Sequence, residues 1–421
     1  GSAPATGREG IEMAVIRAHH ALLPNGWTRG ARVEIGADGR IGAVDTDVHG
    51  GVTHDVDVLL PAPVNVHSHS FQRAMAGLAE ARAGADRDSF WTWRQLMYRF
   101  LNRLEPDHVE AIAAFVQMEM LEAGYATNVE FHYLHHRPDG GAYARLSEMV
   151  ERIAAAACTS GAGLTLLPVH YEFGGCDGRP LAESQRRFGN DADRFARLVA
   201  DSRPAVSAVG RDARLGVAPH SLRAVGPYGL AQTAELAEDG PLHMHLAEQQ
   251  AEVDEVHATY GQRPVAWLLD HADVSSRWCL IHCTQMTPEE TRTLAATGAV
   301  AGLCPITESN LGDGIFDGAR WLDAGGAIAV GSDANIRVSL TEELRTLEYS
   351  QRLRDRARAV LAAPDRSTGR RLFEAVCLGG ARAAGRDTGR IEAGAWADLL
   401  ALDTADPDMA GLAGDAILDT H

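Results

Sequence analysis

Two histidines separated by one residue, His67 and His69, follow an apolar stretch over residues 58–66. That stretch is predicted to be a buried strand, and side chains two positions apart on a strand share a face. Both imidazoles can therefore reach one metal ion from the same side. A histidine pair at this spacing is more often part of a polar strand edge, so the interpretation depends on further candidate ligands.

Three later strand ends supply those candidates: His245, His282 and Asp333. Alternation puts His243 on the same face as His245, and His245, nearer the strand end, is the preferred ligand. A carboxylate at the end of an apolar strand is costly unless it is paired or metal-bound, which favours a functional Asp333. Three histidines and one carboxylate, with a position left for water, are typical of a catalytic metal site.

Zn²⁺ is the expected ion for these ligands, with Fe²⁺ and Mn²⁺ as alternatives. Zinc brings the pKa of bound water down to ~7, so hydroxide is available at neutral pH. Glu248, three residues after His245, would lie beside the metal, where a carboxylate suits a proton shuttle. The alternative for Glu248 is a helix N-terminal acid, and that for His282 is a core histidine bonded to backbone.

The composition of the chain excludes some kinds of catalytic site and argues against some classes of partner. The chain has 421 residues, 45% of them hydrophobic and 23% charged, as in ordinary globular proteins. It contains no lysine, which excludes a Schiff-base lysine and a carbamylated lysine bridging two metals. The net charge of -18 argues against a nucleic-acid partner, and no apolar run is long enough for a membrane span. The six scattered cysteines, without a CxxC motif, predict reduced thiols in a cytoplasmic protein.

The elements that must position these residues are strands alternating with helices. Such alternation predicts a (β/α)8 TIM barrel over residues 57–385, with its chemistry at the carboxyl ends of the strands. Glycine-rich β segments at 1–56 and 386–421 are expected to pair into a small β-sandwich domain. His135, His136, His257 and His271 are expected on the surface or on helices. The predicted strands are 57–66, 127–133, 164–171, 214–219, 241–246, 278–283, 299–304 and 327–332, and the predicted helices include 107–123, 142–157, 228–238, 249–259, 287–297 and 341–361.

The candidate ligands, in their order along the chain, resemble those of the amidohydrolase superfamily. The HxxE motif of His245 and Glu248 is similar to that of the mononuclear deaminase branch of this superfamily. Over nearly the whole chain, the sequence most resembles the formimidoylglutamate deiminase family. The motifs that carry this resemblance lie at 67–80, 89–98, 130–136, 218–223 and 342–349. The stretch after Asp333 departs from the form expected of some members, so Asn335 is assigned no role.

The resemblance implies hydrolysis of N-formimidoyl-L-glutamate to N-formyl-L-glutamate and ammonia, a step of histidine degradation. It implies one divalent ion per chain, and catalytic roles for Glu248, His282 and Asp333. The implied metal ligands are His67, His69, His245 and Asp333, and the implied substrate contacts are Gln72, Arg94, Tyr133, His220 and Arg223.

Arginine chemistry agrees with a substrate that carries two carboxylates. Guanidinium forks bind carboxylates bidentately, and an acidic protein needs local positive charge to hold a dianion. Arg94 is predicted in an aromatic loop after the first barrel strand, and Arg223 just beyond the fourth. For each, the alternative is a surface ion pair.

Two other functions remain open at this point. The chain could be a mononuclear deaminase acting on a nucleobase or another amidine. It could also be a non-catalytic metal-binding barrel, although a structural zinc site has no need of a spare carboxylate such as Glu248. The expected partner is a small dicarboxylate amidine, and a homodimer is compatible with a barrel whose outer surface is helical.

Overall fold

A computed structural model describes residues 13–46, 50–81 and 89–420. None of the helices in these ranges is long and apolar enough to cross a membrane. The strands are β1 Ala14–Leu23, β2 Gly26–Ile35, β3 Ile41–Asp45, β4 His54–Pro61, β5 Val64–Ser68, β6 Thr127–His132, β7 Gly163–His170, β8 Arg214–Leu215, β9 Ala218–Pro219, β10 Leu242–Leu246, β11 Trp278–His282, β12 Val300–Leu303, β13 Ala327–Val330 and β14 Leu399–Leu402. The α-helices are α1 Phe90–Leu101, α2 Pro106–Glu122, α3 Glu148–Ser160, α4 Ala192–Val209, α5 Pro227–Leu236, α6 Gln250–Tyr260, α7 Pro264–His271, α8 Pro288–Ala296, α9 Pro305–Leu311, α10 Gly318–Asp323, α11 Leu340–Asp355, α12 Thr368–Ala383 and α13 Asp415–Thr420.

Two parallel sheets form the centre of the molecule. One runs in the order β5-β6-β7-β8, with β9 paired to β7, and the other in the order β10-β11-β12-β13. Parallel bridges between Ser68 and Asp333 and between Val217 and Leu242 join the two sheets at both of their edges. Every residue of β5, β6, β7, β10, β11 and β12 is buried, as expected for parallel strands covered by helices. The arrangement is an α/β fold with parallel sheets, compatible with the predicted TIM-barrel domain.

A separate five-stranded sheet is built mainly from the N-terminal segment. Its order is β14-β4-β1-β2-β3, so one strand comes from the C-terminal segment. Its apolar face packs around Ala21, Val33, Ile41, Leu59 and Ile391. In the described residues these strands form a single sheet, and a β-sandwich is not confirmed.

The predicted strand 57–66 is two strands. β4 ends at Pro61 and pairs with β1 and β14 in the separate sheet, whereas β5 begins at Val64 and starts the parallel sheets. Pro63 lies between them, and a proline cannot donate to a ladder. One continuous apolar run therefore concealed a change of sheet, because a run of this kind carries no period that marks the break.

Two local predictions were wrong. The segment that holds Arg94 is helix α1, whose amino end is closed by a capping box of Ser89 and Thr92. His135 and His136 are not on the surface, since their exposed fractions are only 1% and 0%. Their Nε2 atoms lie 3.0 Å from the Val169 carbonyl oxygen and 2.9 Å from the Asn190 side-chain oxygen, so each buried ring has a hydrogen-bond partner. His257 and His271 are exposed, as predicted.

Candidate active site

The predicted metal ligands meet at the carboxyl ends of the parallel strands. His67 Nε2 lies 3.1 Å from His245 Nε2 and 3.5 Å from Asp333 Oδ1. His69 Nε2 lies 3.2 Å from the same Asp333 oxygen. All four side chains are buried. The structure therefore brings together four residues that are far apart in the sequence, with ligand-type atoms facing one another.

The outer nitrogens of two of these histidines are held by backbone carbonyls. His69 Nδ1 lies 2.9 Å from the Phe131 oxygen, and His245 Nδ1 lies 3.1 Å from the His220 oxygen. A carbonyl can only accept, so each Nδ1 carries the proton and each Nε2 presents a lone pair to the cluster. Burial lowers the pKa of His69 to about 3, with nearby His67 adding to the effect. Neutral imidazoles with inward lone pairs are the form that a divalent ion requires, so this donor set fits one.

His282 is surrounded by carboxylates. Its Nδ1 lies 3.2 Å from Glu308, and its Nε2 lies 3.8 Å from Asp333 and 4.0 Å from Glu248. Burial alone would lower the pKa of His282, but Glu248, the hydrogen bond to Glu308, and Asp333 outweigh it and raise the pKa to about 10. His282 can therefore hold a proton between these carboxylates. The sequence analysis assigned no role to Glu308, although its position in the first turn of the helix after β12 is a usable signal.

Glu248 is fixed from two sides. Arg223 Nη2 donates to Glu248 Oε2 at 3.0 Å, and the backbone N–H groups of Ala247 and Glu248 each donate at 3.1 Å to Glu252. Arg223 Nε also lies 3.7 Å from Glu252, whose exposed fraction is 0%. Glu252 was missed from the sequence because its partners are the backbone of a turn and an arginine on another segment. The remaining Glu248 oxygen, Oε1, is the one that faces His282.

Several residues at this edge have left-handed backbone conformations. The φ angle is +50° at Ala247, +71° at His282, +47° at Asp333 and +54° at Asn335. Such angles at residues other than glycine cost on the order of 1–3 kcal/mol each and are common at functional sites. Asn335 offsets part of this cost, because its amide nitrogen donates to Ser68 Oγ at 3.1 Å and to the Asp333 carbonyl at 3.0 Å.

A pocket opens above the cluster, and all five predicted substrate residues line it. Arg94 Nη2 donates to the Tyr171 hydroxyl at 2.8 Å, and among the described residues no carboxylate lies within 4 Å of its guanidinium group. Gln72 Nε2 donates to the Tyr133 hydroxyl at 2.8 Å. The lining is His69, Gln72, Phe90, Trp93, Arg94, Met97, Tyr98, Tyr133, Tyr171, Phe188, His220, Arg223, His245, Glu248, His282, Leu311 and Asp333.

Comparison with known families gives two matches along the chain. The model described as the amidohydrolase family matches residues 58–420. The model described as the N-terminal domain of formimidoylglutamate deiminase HutF matches residues 13–52.

Similar proteins include enzymes and solved structures. The chain is 48% identical over 410 residues to a formimidoylglutamate deiminase of Pseudomonas aeruginosa, covering 97% of this chain and 90% of that protein. It is 27% identical over 407 residues to a 5-methylthioadenosine/S-adenosylhomocysteine deaminase of Natronomonas pharaonis, covering 94% and 85%. A crystal structure of an amidohydrolase from Brucella melitensis superposes with a TM-score of 0.91 at 49% identity, covering 96% and 90%. An adenosine deaminase from Xanthomonas campestris with bound zinc shares the fold, with a TM-score of 0.78 at 23% identity and coverage of 96% and 90%.

Proposed function

This chain belongs to the amidohydrolase family, and we propose that it hydrolyses N-formimidoyl-L-glutamate to N-formyl-L-glutamate and ammonia. It is a hydrolase of C–N bonds, and its similarity to a formimidoylglutamate deiminase extends over almost all of both chains. The observation that carries the proposal is the pocket itself. Arg94, a half-buried cation without a carboxylate partner among the described residues, lines the same cavity as the histidine and aspartate cluster.

His67, His69, His245 and Asp333 would hold one divalent ion, with Zn²⁺ expected and Fe²⁺ or Mn²⁺ as alternatives. When bound, such an ion supplies a Lewis acid that lowers the pKa of a water molecule to ~7. The support is the geometry of the donors, whose Nε2 lone pairs converge while carbonyls hold the Nδ1 protons of His69 and His245.

The substrate's two carboxylates need cations and hydrogen-bond donors. Arg94 has donors to spare, because its one hydrogen bond among the described residues goes to Tyr171. Arg223 is committed to Glu248 and Glu252, so its proposed role combines substrate contact with alignment of Glu248. Gln72, Tyr133 and His220 would complete the contacts, since all three line the pocket.

The reaction adds water across a C=N bond and then breaks a C–N bond. Oxygen attacks the formimidoyl carbon while Asp333 accepts a proton from the attacking water, and the protonated His282 beside it acts as an orienting group. Glu248 delivers a proton to the imine nitrogen, which gives a tetrahedral carbon bearing one hydroxyl group and two nitrogens. Glu248 then takes the proton of the hydroxyl group and passes it to the terminal nitrogen; the bond from carbon to this nitrogen breaks, ammonia leaves, and the oxygen becomes the formyl carbonyl. Glu248 Oε1 and His282 Nε2 are 4.0 Å apart, beyond direct hydrogen-bond reach, so a proton would pass between them through the substrate or one water molecule.

The decisive experiment measures ammonia released by the purified protein from N-formimidoyl-L-glutamate, with and without a chelator. N-formimidoyl-L-aspartate, guanine, cytosine and S-adenosylhomocysteine serve as competing substrates. Turnover of a nucleobase or nucleoside instead would support the alternative deaminase. Stoichiometric metal with no turnover of any amidine would support a non-catalytic barrel.

We also propose the boundaries of the two domains, the cellular location and the oligomeric state. The chain would divide into a barrel over 57–385 and a small β domain, a β-sandwich, from 1–56 and 386–421; the pairing of β4 with β1 supports extending the small domain to Pro61. Residues 1–12, 47–49 and 421 of the small domain lie outside the described residues. Cytoplasmic location and a homodimer stay predictions.

A further inference from the structure

Helix α1 forms one wall of the substrate pocket. Phe90, Trp93, Arg94, Met97 and Tyr98 all line the cavity and all lie on this helix. The position of α1 therefore determines where the guanidinium group of Arg94 lies relative to the catalytic cluster. Arg94 and Leu101 are separated by about two helical turns, so a restraint on the carboxyl end of α1 is transmitted to Arg94.

That end of the helix is held by a buried arginine, Arg187, whose exposed fraction is 1%. Its guanidinium group donates to the carbonyl oxygens of Leu101 and Leu104, the latter at 2.8 Å. It also donates to the His136 carbonyl at 2.7 Å and to the Tyr143 hydroxyl at 3.0 Å. Arg187 thus joins α1 to the segment after β6.

The acceptors of Arg187 are unusual for a buried cation. Among the described residues no carboxylate lies within 4 Å of its guanidinium group, whereas the similarly buried Arg386 is paired with both Asp212 and Asp398. Carbonyls at the carboxyl end of a helix carry partial negative charge and favour a cation there. The Leu101 and Leu104 carbonyls meet Arg187 only when α1 is docked, and undocking would remove two of the four acceptors of this buried charge.

The same segment also holds the partner of Arg94. Gln185 Nε2 donates at 2.8 Å to the Tyr171 hydroxyl, which accepts at 2.8 Å from Arg94. Phe188, next to Arg187, lines the pocket. Two independent connections therefore run from residues 185–188 to Arg94, one through α1 and one through Tyr171.

We propose that Arg187 is a positioning residue that docks helix α1 and thereby sets Arg94 for binding of a substrate carboxylate. The proposal rests on the proposed function only for the identity of that substrate. It predicts that a change at Arg187 weakens substrate binding rather than the chemical step, since neither the metal ligands nor Glu248 contact it.

The test compares Arg187→Lys with Arg386→Lys, which shortens a second buried arginine far from the pocket. A lysine keeps the charge but is a point donor that cannot reach all four acceptors at once. We expect Arg187→Lys to raise KM for N-formimidoyl-L-glutamate about 10-fold, with kcat nearly unchanged. A change of this size lies within the range of coupling energies between residues that share contacts. In an Arg94→Met background the same change should have little further effect on KM. Arg386→Lys should leave KM unchanged even if it lowers the melting temperature.

A second measurement is independent of the substrate. Amide hydrogen exchange over α1 should be faster in Arg187→Lys than in the wild type, with α12 unchanged. Unchanged KM together with unchanged exchange over α1 would overturn the inference, as would an equal KM effect in Arg386→Lys. If the wild type does not turn over the substrate, the proposed function fails, while the exchange measurement still decides the role of Arg187. If Arg187→Lys does not fold, Tyr143→Phe is the second variant, because it removes one of the four acceptors of Arg187. Faster amide exchange at the end of α1 in this variant would support the inference, and unchanged exchange would contradict it.

Discussion

Replacing Glu248 by glutamine tests the proposed proton shuttle most directly. The change removes one charge and keeps the shape, so Arg223 retains an acceptor at its 3.0 Å position. Glu248 Oε1 lies 4.0 Å from His282 Nε2, and two unit charges at that distance interact by about 4 kcal/mol at an effective dielectric constant near 20. This attraction acts in the resting enzyme and is not itself a loss of rate, because only interactions that are stronger in the transition state accelerate the reaction. The expected loss follows from the proton-transfer role: general acid–base catalysis typically contributes ~10²–10⁴-fold, so kcat should fall by about 10³-fold.

The assay follows ammonia release at saturating N-formimidoyl-L-glutamate, with the metal content of each preparation measured. Metal should be retained in Glu248→Gln, because the four proposed ligands are unchanged. Asp313→Asn is the matched control: Asp313 is also a buried carboxyl of this region, and Gln249 donates to it. Burial, with Glu248 nearby, raises the pKa of Asp313 and so favours its neutral form, which makes an amide a smaller change of charge there than at Glu248.

Retention of kcat within about threefold in Glu248→Gln would refute the shuttle, since loss of a proton shuttle should lower kcat by at least ~10²-fold. An equal loss in Asp313→Asn would refute it as well, because the effect would then follow from any change in this buried region. A loss of metal in Glu248→Gln would show that the carboxylate acts as a ligand, contrary to the proposed arrangement.

Three further measurements test other parts of the site. Arg94→Met should raise KM with little change in kcat. Arg223→Met should raise KM and also lower kcat, because Glu248 loses its partner. Steady-state kinetics on both variants would contradict this if KM and kcat changed in the same way in the two. Chelation should abolish ammonia release and substrate binding and lower the melting temperature, and restoring Zn²⁺, Fe²⁺ or Mn²⁺ one at a time should identify the competent ion. Burial lowers the pKa of His170 to about 4 from 6.5, so its contribution to stability is present above pH 6.5 and is lost as pH falls toward 4. The free energy of unfolding, measured with urea, should therefore fall less steeply with decreasing pH in His170→Gln than in the wild type over this window, by at most about 1.4 kcal/mol per pH unit. An unchanged dependence on pH would argue against this contribution of His170.

The positions of the proposed metal ligands could be predicted because buried parallel strands are recognisable in the sequence as apolar runs. His67, His245 and Asp333 each end a buried apolar run, and the geometry of parallel sheets brings such ends to one edge. Glu252 could not be assigned in the same way, and the sequence signal for Glu308 is only its position in the first turn of the helix after β12. Their partners are backbone N–H groups and side chains that only the folded chain brings near, and the left-handed turn at Ala247 leaves no mark in the sequence.

Helix α1 was missed for a different reason. Its residues are rich in aromatic side chains, whose helix propensity is lower than that of leucine or alanine, and three of them line the pocket. The break between β4 and β5 was concealed because both strands are buried and apolar throughout that stretch. Both errors occur where the chain changes from one structural layer to another, and composition alone does not record such a change.

The charges around the pocket explain why substrate binding and metal binding should be linked. Glu248, Glu252, Glu308 and Asp333 are four buried carboxyl groups within or beside the site, and Arg94 and Arg223 supply two guanidinium groups. Both contacts that hold Arg223 are with these acids, so its charge is largely offset before substrate arrives. A dianion entering such a pocket would meet repulsion that Arg94 alone cannot balance. A divalent ion on the proposed ligands adds two positive charges at the edge of the cavity, where burial makes them effective. The ion would then serve the capture of a dicarboxylate as well as the hydrolysis, which is why chelation is expected to remove both.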